Sequence, residues 1–309
     1  MIVSVVLCTF NRAHLVTGAI EALLRQTPGT PDYEVLVVDN NSSDGTRAAV
    51  SRLLDHPRLR YLYEPEQGLS TARNRGIAAA RGAVIAFTDD DVRVDPTWVS
   101  RIAALFDGFP AVGFAGGRVL PVWDHEPPAW LDAAGHAPLA LVDYGDERRF
   151  IDPAQPLCLV GANLSIRRAA IDAVGPFSTH VQLLGDDAGS TEDQEIELRL
   201  LRAGFAGLYD PGLVVRTHVP PDRLRRRYHR EWHVGHGRHF ARMREPSFEG
   251  TRLAPFGIPA HVYRAAITET LAWMRDTLRL RCAAAFGHEL RLRFLFGFAS
   301  ERIAERHHG

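Results

Sequence analysis

The sequence predicts an α/β fold, a mixed, mostly parallel sheet flanked by helices. Three observations carry this. Short runs rich in Val, Ile and Leu alternate with stretches of helical spacing through the first hundred residues, and that alternation builds βαβ units. The runs Ile2–Leu7, Glu34–Val38 and Ala83–Phe87 are almost continuously apolar, as parallel strands covered on both faces are. Each run then gives way to polar residues, and in open α/β sheets ligands sit beyond the carboxyl ends of the strands.

Taken in order, Ile2–Leu7 is a buried strand and Leu15–Arg25 a helix. Glu34–Val38 is the second strand, and Ser43–Leu54 a helix opened by the capping residues Ser42, Ser43 and Asp44. Leu59–Tyr63 is a third strand, Ser70–Ala80 a helix and Ala83–Phe87 a fourth strand. A helix over Pro96–Phe106 is capped by Asp95. Pro121, Pro127, Pro128, Pro138, Pro153 and Pro156, with Trp123 and Trp130 among them, mark a long irregular insert. Order returns at Leu157–Arg167, followed by helices at Ala169–Val174 and Glu192–Ala203 and a strand at Leu208–Arg216. From Pro220 onward the chain reads as mostly helical.

All 36 cationic side chains counted as Lys+Arg are arginine. Without lysine there is no Schiff-base chemistry and no P-loop. Cys8, Cys158 and Cys282 give neither a disulfide framework nor a zinc pattern, as befits a reducing compartment. The formal charge of −1 conceals a division. Residues 1–218 hold 19 Arg and 28 acids, net −9, and residues 219–309 hold 17 Arg and 9 acids, net +8. The apolar start breaks at Asn11-Arg12, without the flanks of a signal peptide. No apolar stretch reaches the ~18 residues of a transmembrane helix.

The strand ends hold the candidates. Asp89-Asp90-Asp91 sets three carboxylates side by side, and their repulsion calls for compensation. A hard divalent cation supplies it through oxygen ligands. The alternative is a helix N-terminus favoring acids, but Asp95 fills that role better. Asp39 ends a central strand, where a carboxylate is costly without a ligand; it reads as a partner of a nucleobase or ribose, or else as a cap. Arg73 and Asn74 lie in the first turns of the helix opened by Gly68-Leu69-Ser70, either reaching a nucleotide or lying on a surface. Glu192 and Asp193 begin a helix whose dipole suits a positioned base, or they simply cap it. His218 could join a metal shell only if it returns near Asp91. In the tail, Ile267, Leu271, Met274 and Leu278 form an apolar helical stripe beside Arg275, Arg279 and Arg281. That stripe reads either as a packed face or as a surface for anionic lipid headgroups. The acidic body speaks against nucleic acid.

Together, Val3–Arg12, Glu34–Gly45, Gly68–Gly76, Phe87–Asp91, Gly161–Asn163 with Arg167-Arg168, Gly175-Pro176-Phe177 and Glu192-Asp193 resemble the inverting family 2 glycosyltransferases of GT-A fold, over about residues 1–218. The resemblance implies a catalytic domain over 1–218, with a nucleotide-sugar-binding half (1–110) and an acceptor-binding half (111–218); residues 219–309 read from their own composition as a basic helical extension. The resemblance places Thr9, Phe10, Asn11, Arg12, Asp39, Arg73, Asp89 and Asp90 at the nucleotide. Asp91, Asp89 and His218 go to Mn²⁺ or Mg²⁺, Asp193 is the general base with Glu192 as its alternate, and Gly161, Ala162 and Asn163 border the acceptor and donor sugar. The implied partners are a nucleoside-diphosphate sugar and a saccharide or lipid-linked acceptor in cell-surface polysaccharide or glycolipid assembly. The chain is expected in the cytoplasm; the +8 balance and apolar stripe of 219–309 make an anionic surface at the inner face of the cytoplasmic membrane a candidate partner, and a homodimer is a further candidate. Two departures stand out. Leu184–Thr191 lacks the usual glycine cluster and offers Asp186 and Asp187 as further acidic candidates, and the tail beyond 220 matches no motif. The alternatives are a sugar nucleotidyltransferase, for which the glycine-rich basic loop is missing after strand one, and a non-catalytic nucleotide- or sugar-binding module.

Overall fold

The computed structural model describes residues 3–131, 133–182, 189–250 and 254–308. Its sheet begins with β1 (Val3–Thr9), β2 (Tyr33–Asp39), β3 (Leu59–Tyr63) and β4 (Val84–Asp89). β1 pairs in parallel with β2 and β4, and β2 with β3. Thr9 lies level with Asp39, and Cys8 with Asp89. The polar ends of three strands are therefore side by side along one edge. β1 and β2 are buried nearly throughout, which is why they read as unbroken apolar runs rather than alternating ones.

Helices α1 (Ala13–Leu24), α2 (Thr46–Ser51) and α3 (Leu69–Ala79) follow the first three strands. α2 is shorter than the expected Ser43–Leu54. At its start the reason is local: the Asp44 carboxylate accepts the Thr46 N–H at 2.9 Å and the Ala13 N–H at 3.1 Å. One aspartate thus caps the starts of two helices and keeps residues 40–45 as loop.

After β5 (Val92–Val94) and α4 (Trp98–Gly108) the sheet turns antiparallel. Asp95 accepts the Thr97 N–H and hydroxyl at 2.9 and 2.7 Å just before α4, so the turn into that helix is served without Asp89–Asp91. β6 (Val112–Trp123) is a twelve-residue strand reaching into the stretch expected to be irregular. β7 (Arg149–Phe150), β8 (Leu164–Arg167) and β9 (Ala206–Val219) complete the order β3-β2-β1-β4-β8-β6-β9-β5, with β7 also on β9. α5 (Arg168–Val174) and α6 (Glu192–Arg202) flank this half.

The chain divides into two compact units. The first comprises Met1–Val122, Ala140–Thr179 and Glu192–His218, and holds the sheet. The second comprises Trp123–Leu139, His180–Thr191 and Val219–Gly309. Its helices are α7 (Arg226–Met243), α8 (Pro246–Glu249), α9 (Ala260–Leu278) and α10 (Cys282–His308). α7 and α10 pack backbone to backbone. A Cβ at Gly237 would lie 2.1 Å from the Phe294 carbonyl, and one at Gly297 2.0 Å from that of Val234. Only glycine allows so close an approach.

Candidate active site

The loops after β1 and β2 are stitched to each other. Asn11 takes a left-handed conformation (φ 53°), which asparagine tolerates better than most residues. Its Oδ1 accepts the Ser43 N–H at 2.8 Å, and its own N–H donates to Ser42 Oγ at 2.9 Å. Asp39 is fully buried. It accepts the Ser42 N–H at 3.0 Å and the Tyr61 hydroxyl at 2.7 Å, so the protein itself holds both of its oxygens in place. Each keeps a further lone pair.

The carboxylate run has compensation from within the chain. Arg12 Nη1 donates to Asp90 Oδ1 at 3.1 Å and to Asp91 Oδ2 at 3.0 Å. The Thr9 hydroxyl donates to Asp90 Oδ2 at 2.7 Å. Even so, withdrawal from water pushes Asp90 up to about 6, against Arg12. The same cause pushes Asp89 up to about 7, with Asp91, Asp193 and Asp90 adding to it and Arg73 opposing. Burial, more than mutual repulsion, is the main cause of both shifts. β5 pairs with β9 so that Val92 lies opposite Thr217. His218 follows Thr217 on β9 and is exposed, and Asp91 lies in the turn just before β5. The side-chain types expected at this edge, carboxylates with one imidazole, are ones that Mn²⁺ or Mg²⁺ accepts. Among the described residues no three His, Cys, Asp or Glu side chains are placed together so as to hold a metal ion.

Arg73 on α3 is buried and spans to α6. Its Nη1 lies 2.7 Å from Asp193 Oδ1 and 3.3 Å from Glu192 Oε1, and its guanidinium lies 5.1 Å from the Phe177 ring center. Burial alone lowers its pKa, but Asp193 and Glu192 more than reverse this. Asp193 Oδ2 accepts the Gly161 N–H at 2.7 Å. A Cβ on Gly161 would stand 2.0 Å from Arg73 Nη2 and 2.8 Å from Asp193 Oδ1, so glycine makes room for this junction. Glu192 is buried, whereas the Asp193 side chain is 21% exposed. Of the two, Asp193 is the one open to a reactant.

Not every expected residue faces outward. Asn163 lies in a short 3-10 turn, Gly161–Asn163, and its side chain is spent on the scaffold. It accepts Trp98 Nε1–H at 2.8 Å and donates to the Arg118 and Leu213 carbonyls at 2.9 Å each. Ala162 is likewise buried. Asp186 and Asp187 lie outside the described residues. Cys8 borders Arg73 and Asp89, yet burial pushes its thiol up to about 12, and Cys158 is also raised well above its usual range by burial. Neither is a thiolate nucleophile.

Sequence reasoning passed over Glu197, one helical turn beyond Asp193. It is buried, with Oε2 accepting the Leu159 N–H at 3.1 Å. Asp193 and Glu197 thus grip alternate backbone N–H groups of one segment, those of residues 161 and 159. The signal was a carboxylate at i+4 on the same helix face. Burial raises the Glu197 carboxyl well above its usual range. The folded state therefore keeps a proton that the unfolded chain releases, so this contribution to stability is lost as pH rises from the ordinary carboxylate range through the raised folded value. Glu197→Gln is expected to gain in melting temperature relative to the parent as pH is raised from about 5 to 8. A gap between the two melting curves that stays constant with pH would contradict a neutral Glu197.

The chain matches the profile of the family described as Glycosyl transferase family 2 over residues 4–175. It is 30% identical over 186 residues to glycosyltransferase AglE of Haloferax volcanii, covering 60% of this chain and 58% of that protein. It is 26% identical over 203 residues to the glucosyl-dolichyl phosphate glucuronosyltransferase of the same organism, covering 65% of this chain and 63% of the relative. The chain thus spans less than two thirds of either relative's length. Among solved structures, the mannosyltransferase PcManGT from Pyrobaculum calidifontis, in complex with GDP-Man and Mn²⁺, superposes with a TM-score of 0.66 at 19% identity, over 98% of this chain and 87% of that one. At that identity the likeness is one of fold, the GT-A fold.

Proposed function

This chain belongs to glycosyl transferase family 2, and we propose that it moves a hexosyl group from a nucleoside-diphosphate sugar to an acceptor hydroxyl with inversion at the anomeric carbon. The observation that carries this is the junction of Arg73, Asp193 and Gly161. It holds the more accessible of two acids with both oxygens oriented, in the same sheet-edge neighborhood as Asp89–Asp91. Thr9, Phe10, Asn11, Arg12 and Asp39 line the nucleotide side. Asp91, with Asp89 and His218, would hold a divalent cation, which supplies charge neutralization for the departing diphosphate. Arg12, paired with Asp90 and Asp91 at rest, is free to turn toward phosphate once their charge is met otherwise. Asp193 takes the proton from the acceptor hydroxyl as that oxygen attacks the anomeric carbon. Glu192 stays buried against Arg73 and fixes the guanidinium that orients Asp193. A single in-line displacement inverts the center. A lipid-linked or saccharide acceptor in glycan assembly is supported by the name of the relative called glucosyl-dolichyl phosphate glucuronosyltransferase.

The test is a thermal shift with UDP, GDP, dTDP and CDP, each with and without Mn²⁺. A ligand bound only by the folded state stabilizes it by mass action, about 2.7 kcal/mol at a hundredfold excess over Kd. One nucleotide is expected to raise the melting temperature in a Mn²⁺-dependent way, and Asp91→Ala to abolish that dependence. A shift that Asp91→Ala leaves intact would remove Asp91 from the metal site. With a donor sugar present, release of nucleoside diphosphate agrees with transfer, whereas pyrophosphate release would replace it with nucleotidyl transfer.

A further inference from the structure

Helix α9 leaves uncovered the face that a helix in a folded protein normally buries. Ile267, Leu271, Met274 and Leu278 recur at i, i+4, i+7 and i+11, and are 62%, 62%, 50% and 85% exposed. Trp273 and Leu280 are exposed beside them. The amphipathic pattern is therefore present, but its apolar stripe points away from the unit's own core, which is formed around Ala241, Ile258, Val262 and Phe298.

The charges on this helix are sorted by sign. Its two acids, Glu269 and Asp276, turn toward α10 and its approach. Glu269 Oε2 lies 2.6 Å from His288 Nδ1 and 2.8 Å from Arg291 Nε. Asp276 is buried, 3.3 Å from His288 Nε2, 3.0 Å from Arg275 and 3.9 Å from Arg281. The exposed charged residues of α9 and the turn after it are all cationic: Arg264, Arg275, Arg279 and Arg281. Arg264 and Arg279 make no ion pair among the described residues. The open face thus presents apolar side chains rimmed by positive charge alone. A two-fold pairing of this face with a second copy would set arginines against arginines. Among the described residues no helix is long and apolar enough to cross a membrane, and a helix of this kind lies in the interface plane instead.

We propose that the outer face of α9 docks on an anionic lipid surface, with Ile267, Leu271, Met274 and Leu278 among the acyl chains and Arg264, Arg275, Arg279 and Arg281 at the headgroup phosphates. This binding is independent of the transfer chemistry. It would hold the chain where a lipid-linked acceptor is presented.

The experiment is flotation of the full chain with vesicles of phosphatidylcholine alone and with roughly a third phosphatidylglycerol, at low and high salt. Binding is expected only to the anionic vesicles, and to weaken with salt. The double variant Leu271→Glu/Met274→Glu should lose it while melting as the parent does, because neither side chain packs in the core. Arg264→Gln/Arg279→Gln should weaken it by about fivefold per arginine. Failure of the folded parent to float with anionic vesicles overturns the proposal. So does undiminished flotation of Leu271→Glu/Met274→Glu. A parent that is dimeric by light scattering, does not float, and becomes monomeric in that double variant would assign the face to self-association instead. A nucleotide thermal shift in the Leu271→Glu/Met274→Glu variant equal to the parent's keeps this result separate from any failure of the active site.

Discussion

Asp193→Asn is expected to lower kcat for sugar transfer by about 10²–10⁴-fold, the range ordinarily lost with a general base. KM for the donor should change little, because most of the residues proposed to hold the nucleotide come from β1, β2 and the β4 end rather than from α6. Asparagine keeps the shape of the side chain but offers one acceptor oxygen where the carboxylate offers two. Either the Arg73 guanidinium or the Gly161 N–H then faces an NH₂ group, at a cost of about 1–3 kcal/mol. Steady-state kinetics with parallel melting curves separate the two effects. A variant that melts lower yet transfers at near the parental rate would remove Asp193 from the base position.

Arg73→Met should be the most damaging single change to stability, by about 3–5 kcal/mol, the usual penalty when one partner of a buried pair is deleted. The physical reason is the company it keeps. Glu192 is buried, Asp193 is close behind, and Asp89 lies near enough for its own pKa to feel the guanidinium. Without Arg73, three carboxylates lose their nearest cation at once, and the contact with the Phe177 ring goes too. Methionine fills the volume but supplies no charge. Denaturant melts would measure the loss, and a drop in melting temperature on the order of 10 °C is expected. Arg73→Lys should recover part of it, since an ammonium restores charge but not the planar fork. If Arg73→Met melted as the parent does, the carboxylates would have to be relieved by water or by Arg12 instead.

The sequence by itself determined the parallel half of the sheet, because unbroken apolar runs such as Val35–Val38 have no other stable place than a strand covered on both sides. It also marked the site's edge, because Thr9, Asp39 and Asp89 end those strands and the βαβ pattern sets strand ends side by side. It gave the period of the α9 stripe, because spacing alone defines a helical face. What only the tertiary structure decided is what meets these residues. The repulsion within Asp89–Asp91 was legible, but not that Arg12, 78 positions away, answers it. Arg73 was ambiguous until α3 and α6 brought it against Asp193 across 120 positions. Asn163 and Glu197 changed standing for the same reason: one is consumed by Trp98 and two carbonyls, the other anchors the segment that holds Asp193. A pattern along the chain records which side chains share a face. Whether that face is covered, as on β1, or left open at 62–85% exposure, as for Ile267, Leu271 and Leu278, depends on contacts between distant segments. Local spacing carries no information about those contacts.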